Sequence, residues 1–107
     1  MRKKEAHILI VDDDEDILFS ARVWLKKFFT EVSCLSQPKK ILKFLSEQQV
    51  DTVLLDMNFR KGFENGQDGL YWMQEIKTLE PQLPIILMTA YGEVELAVEA
   101  LKNGASD

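Results

Sequence analysis

Short continuous apolar runs alternate along this chain with longer stretches in which apolar residues recur every three or four positions. His7 to Val11 (HILIV) is a run of the first kind and leads straight into three aspartates, as expected of a strand buried on both faces of a parallel sheet. From Glu15 to Phe29, the residues Ile17, Leu18, Ala21, Leu25 and Phe28 keep helical spacing, with Trp24 beside them and Arg22, Lys26 and Lys27 between. This predicts an amphipathic helix. A weaker strand follows over Glu31 to Leu35, and Ser36-Gln37-Pro38 reads as the entry to a helix whose apolar stripe is Ile41, Leu42 and Leu45.

The first pattern then returns in Asp51 to Asp56 (DTVLLD), an apolar, β-branched run that ends in an aspartate. Met57 to Asp68 has two glycines, an Asn-Gly pair and no period, which predicts a long loop. Leu70, Met73, Ile76 and Leu79 mark a helix closed by Pro81, and Pro84 precedes a strand, Ile85 to Met88, that runs out at Thr89. Val94, Ala97, Val98 and Leu101 predict a last helix stopped by Asn103-Gly104. Strand and helix thus alternate four times, which argues for an α/β fold with a doubly wound parallel sheet and right-handed crossovers.

The 107 residues suffice for one hydrophobic core, so residues 1–107 are expected to form one domain. With 46% hydrophobic and 29% charged residues, the chain has the make-up of a folded globular protein. A net charge of −5, with its basic groups confined to Arg2-Lys3-Lys4 and to Lys39, Lys40 and Lys43, argues against direct nucleic-acid binding. No apolar run approaches the roughly 20 residues that span a bilayer, and no signal-peptide pattern opens the chain. The expectation is a cytoplasmic protein without membrane binding. Cys34 is the single cysteine and reads as a small buried strand residue.

Open α/β sheets bind ligands beyond the carboxyl ends of their strands. At those ends stand Asp12-Asp13-Asp14, Asp56 and Thr89. Carboxylates brought within a few ångströms of one another repel, and a hard divalent cation such as Mg²⁺ relieves that repulsion through oxygen ligands. Asp13 and Asp56 fit the carboxylate roles. A carboxylate is also a competent nucleophile toward phosphorus, and the resulting acyl phosphate needs positioning and charge neutralisation more than an acid or base. His7, the single histidine, begins the first strand and is expected at the opposite end.

Taken together, Ile8-Leu9-Ile10-Val11-Asp12-Asp13-Asp14, Leu54-Leu55-Asp56-Met57-Asn58, Met88-Thr89-Ala90 and Asn103-Gly104-Ala105 resemble the motif set of response-regulator receiver domains, in order and over essentially the whole chain. The resemblance implies a flavodoxin-like fold with strand order 2-1-3-4-5. It also implies a switch rather than an enzyme: Asp56 takes a phosphoryl group from the phosphohistidine of a sensor histidine kinase. Asp13 would bind Mg²⁺ directly, Asp12 through water and Asn58 through its backbone carbonyl. Thr89 would hydrogen-bond the phosphoryl group and couple it to the following helix, and an effector domain C-terminal to this chain would act on transcription. For Asp14 the expected task is the N-cap of the first helix.

Two features depart from that pattern. Phe59-Arg60 stand where receivers commonly carry Met-Pro, and Asp68-Gly69 comes late, so the loop beside the site is enlarged; similar insertions occur in some receivers attached to AAA+ transcription activators. The chain also reaches Asp107 before the fifth strand and helix that carry the family's lysine and aromatic switch residue. As a receiver it is expected to be truncated there, to expose Ile85 to Met88 as an apolar sheet edge, and to be prone to form homodimers or aggregates through it. The rival readings are a phosphorylation-independent pseudo-receiver that only binds proteins, and a haloacid-dehalogenase-type phosphatase. The second is opposed by Asn58, which stands where that chemistry places an aspartate.

Overall fold

The computed structural model describes residues 3–56 and 67–88. Strand β1 (Lys4–Val11) is followed by helix α1 (Glu15–Leu25), strand β2 (Phe29–Leu35), a 3₁₀ turn over Pro38–Lys40, helix α2 (Ile41–Glu47), strand β3 (Thr52–Asp56), helix α3 (Gln67–Leu79) and strand β4 (Ile85–Met88). All strand pairs are parallel, in the order β2-β1-β3-β4. This is the α/β architecture and strand order that the resemblance implies, with β4 at one edge among the described residues.

Side chains of successive strand residues point to opposite faces, and each face carries its own core. Leu9, Val11, Val53, Leu55 and Ile85 project to one side, where Ile41 and Leu45 of α2 and Leu70, Met73 and Ile76 of α3 close over them. Ile8, Ile10 and Val32 project to the other, against Leu18 of α1 with Ala21, Leu25 and Leu54 at the margin. Two helices cover the first face and one the second, as right-handed crossovers in both directions from β1 require. Beyond α1, an apolar groove of about 580 Å³ runs past Trp24, Leu25, Leu54 and Ile86.

Several expected boundaries shift. The first helix ends at Leu25, not Phe29: Lys26 to Phe28 turn the chain, the Lys4 N–H donates to the Phe28 carbonyl at 2.8 Å, and Phe29 pairs with Lys4 as the start of β2. The same pairing lengthens β1 back to Lys4. Ile17, placed on the buried stripe by its spacing, is 45% exposed, because Leu18, Ala21 and Leu25 alone supply the helix face that meets the sheet. Cys34 is half-buried rather than buried. Helix α3 begins at Gln67 and so takes the end of the expected loop. Asn58, Thr89, the rest of that loop and the last expected helix lie outside the described residues. Among the described residues, no helix is long and apolar enough to cross a membrane.

Candidate functional site

Parallel pairing aligns Val11 with Leu55, so the next residues, Asp12 just past β1 and Asp56 at the end of β3, stand side by side. Two adjacent strands therefore bring their terminal carboxylates together without help from any loop. Asp12 is only 4% exposed and Asp56 only 8%. Asp13, one residue further along, is half-exposed and completes the group: ligating oxygens of Asp12, Asp13 and Asp56 all lie within 4.8 Å of one another. The acidic trio that the sequence placed at one sheet edge is thus assembled in space.

The backbone around Asp12 is firmly tied. Its N–H donates to the Leu35 carbonyl at 3.1 Å, which anchors the turn to the end of β2. Its Oδ1 accepts the N–H of Asp14 at 2.9 Å. Burial pushes the Asp12 carboxyl above the ordinary carboxylate range, and the neighbouring charges of Asp13 and Asp14 push the same way. The Asp14 N–H and a hydrogen bond with Asp56 act against this shift without reversing it. Nearby negative charge makes the ionised form costly in the free protein, which is the electrostatic condition a hard cation relieves. The donor set suits Mg²⁺: all three groups are oxygen ligands on short side chains, and none is a sulfur or nitrogen that would favour a softer metal.

Asp14 caps α1, as expected. It sits at φ −92°, ψ 112°, and its carboxylate accepts from the N–H groups of Asp16 and Ile17. His7 lies at the opposite end of β1 and is a satisfied core residue. Its Nδ1 is 2.8 Å from the Gln49 carbonyl and its Nε2 is 2.7 Å from the Ser33 hydroxyl. Sequence periodicity had no access to the hydrogen bonds linking Asp12, Asp14 and the first turn of α1. The one local signal for them is the unbroken acidic run ahead of an amphipathic helix.

Comparison with known proteins agrees with this arrangement. The family described as "Response regulator receiver domain" matches residues 8–107. The chain is 38% identical over 100 residues to the transcriptional regulatory protein ZraR of Escherichia coli (strain K12), covering 94% of this chain and 22% of that protein. To the regulatory protein AtoC of the same strain it is 37% identical, covering 94% of this chain and 21% of AtoC. It therefore spans about a fifth of the length of these curated relatives. Among solved structures, the N-terminal signal receiver domain of a two-component response regulator from Bacteroides fragilis matches with a TM-score of 0.85 and 40% identity, over 97% of this chain and 82% of that one. NtrX from Brucella abortus, solved in complex with ADP, matches with a TM-score of 0.85 and 28% identity, over 97% of this chain and 23% of that one.

Proposed function

The chain belongs to the response regulator receiver domain family, and on that basis we propose that it is a phosphoacceptor switch in which Asp56 is the nucleophile. A carboxylate oxygen of Asp56 attacks the phosphorus of a sensor kinase's phosphohistidine. The P–O bond forms as the P–N bond breaks, and the imidazole leaves with the electron pair. A carboxylate nucleophile needs no general base, in keeping with a site that has no histidine beside it. Asp13 and Asp56 would hold Mg²⁺ directly, with Asp12 acting through water and Asn58 through its carbonyl. The ion's contribution is to neutralise charge on the phosphoryl oxygens and on the crowded carboxylates.

The observation that carries this reading is the convergence of three carboxylates at adjacent strand ends, two of them buried. A module that only docked proteins would have no use for that costly arrangement. Once phosphorylated, Asp56 offers new acceptor oxygens, and Thr89, directly after β4, is the hydroxyl assigned to answer them. Movement there would carry the signal into the segment that follows. ZraR is named a transcriptional regulatory protein and is several times longer than this chain, so the output is assigned to an effector domain elsewhere in the whole protein, acting on transcription.

The test is phosphorylation of the full-length protein by acetyl phosphate with Mg²⁺. One phosphoryl group is expected on the wild type and none on Asp56→Asn. A mass increase that survives in Asp56→Asn overturns the assignment.

A further inference from the structure

We propose that Asp14 is a positioning residue for the metal-binding carboxylates, acting through the helix cap and without touching the ion. The inference rests on the receiver reading above, but its geometry is separate. Two hydrogen-bonded turns are nested at the junction of β1 and α1. In the first, Asp12 Oδ1 accepts the N–H of Asp14 at 2.9 Å. In the second, Asp14 Oδ1 accepts the N–H of Asp16 at 2.9 Å and that of Ile17 at 3.3 Å, while the Asp14 carbonyl takes the Leu18 N–H at 3.1 Å as the first bond of the helix. Asp14 is therefore donor to the site and acceptor for the helix at once.

The consequences follow from counting degrees of freedom. Capping by its own side chain fixes Asp14 in the extended conformation, and that sets the direction of its N–H. The N–H in turn commits one of the two oxygens of Asp12, leaving that buried side chain little rotational freedom. Asp13, caught between two residues whose backbones are both tied, has its Cα–Cβ direction set as well. The helix beyond is anchored by Leu18 in the core, so the cap refers the carboxylates to a rigid body. A side chain at position 14 that cannot cap leaves the Asp14 N–H bond to Asp12 chemically possible but no longer aimed.

This separates Asp14 from a plain cap, whose loss weakens the helix alone. It also separates it from a ligand, whose role depends on charge. The experiment compares Asp14→Ala, Asp14→Asn and Asp14→Ser in the full-length protein by calorimetric titration with MgCl₂, with thermal melts of the metal-free forms alongside. Asn and Ser retain capping oxygens and lack the charge. Mg²⁺ affinity is expected to fall by about tenfold in Asp14→Ala, the scale on which hydrogen-bond partners of metal ligands act, and to stay within about twofold of wild type in the other two. Unchanged affinity in Asp14→Ala, even with a lowered melting temperature, overturns the proposal by showing a cap and nothing more. Equal weakening in all three variants also overturns it, because charge and not the cap would then be responsible. A wild type that binds Mg²⁺ yet accepts no phosphoryl group would refute the phosphoacceptor reading and leave this result standing.

Discussion

Asp12 shows how far one residue's chemistry can be taken. Its carboxyl titrates above the ordinary range in the folded protein chiefly because it is buried, and the charges of Asp13 and Asp14 add to the effect. In the unfolded chain the same group is solvated and ordinary. The folded state therefore binds the proton more tightly, so this group's contribution to stability rises as pH falls through its raised pKa toward the ordinary carboxylate range. It levels off below the ordinary carboxylate range, where both states are protonated. Asp12→Asn should accordingly raise the melting temperature of the metal-free protein at pH 7 and flatten that part of its pH dependence. A lowered melting temperature at neutral pH would show that the carboxylate is stabilised in the fold by something other than metal. That these acids share one edge was legible in the sequence, since parallel strands present their carboxyl ends on the same side of the sheet. Its internal geometry was not: no spacing rule says which oxygen of Asp12 faces the helix.

At the scale of elements, existence and type were read correctly for every strand and helix within the described residues, and the errors fall where tertiary pairing overrides local period. Phe28 and Phe29 continue the helical spacing of α1, but β2 needs Phe29 opposite Lys4, and the sheet prevails. Ile17 illustrates the same limit. Helical spacing offers a broad apolar arc, and only the part of it around Leu18 meets the strands. Leu18→Ala is therefore expected to cost about 2–5 kcal/mol, whereas Phe19→Ala, at a position 68% exposed, should stay within about 0.5 kcal/mol. Urea unfolding midpoints at unchanged slope would measure both. Comparable losses would mean that the outer face of α1 is covered in solution. Strand order belongs to a different class of knowledge: periodicity cannot rank strands in space, and the order came with the family resemblance, then agreed with β2-β1-β3-β4.

For the whole molecule, the acidic site and the fold are in opposition. Three carboxylates within 4.8 Å in a chain of net charge −5 strain the folded state electrostatically, and unfolding would relieve them. A cation bound only by the folded form reverses this balance by mass action, contributing about 2.7 kcal/mol at a free concentration one hundred times its dissociation constant. For a domain of this size that corresponds to a rise in melting temperature of about 10 °C. The prediction is that MgCl₂ raises the melting temperature of the wild type progressively, and that NaCl at matched ionic strength raises it much less, because screening weakens repulsion without coordinating oxygen. Asp13→Ala should lose most of the Mg²⁺-specific rise while keeping the NaCl response. Asp12→Ala should lose less of it, since that residue is assigned to the ion through water. Lowering the pH should also shrink the Mg²⁺ effect, because protons compete for the same carboxylates and Asp12 takes its proton early. Equal stabilisation by the two salts at matched ionic strength would mean that the trio is only a repulsive cluster and holds no metal.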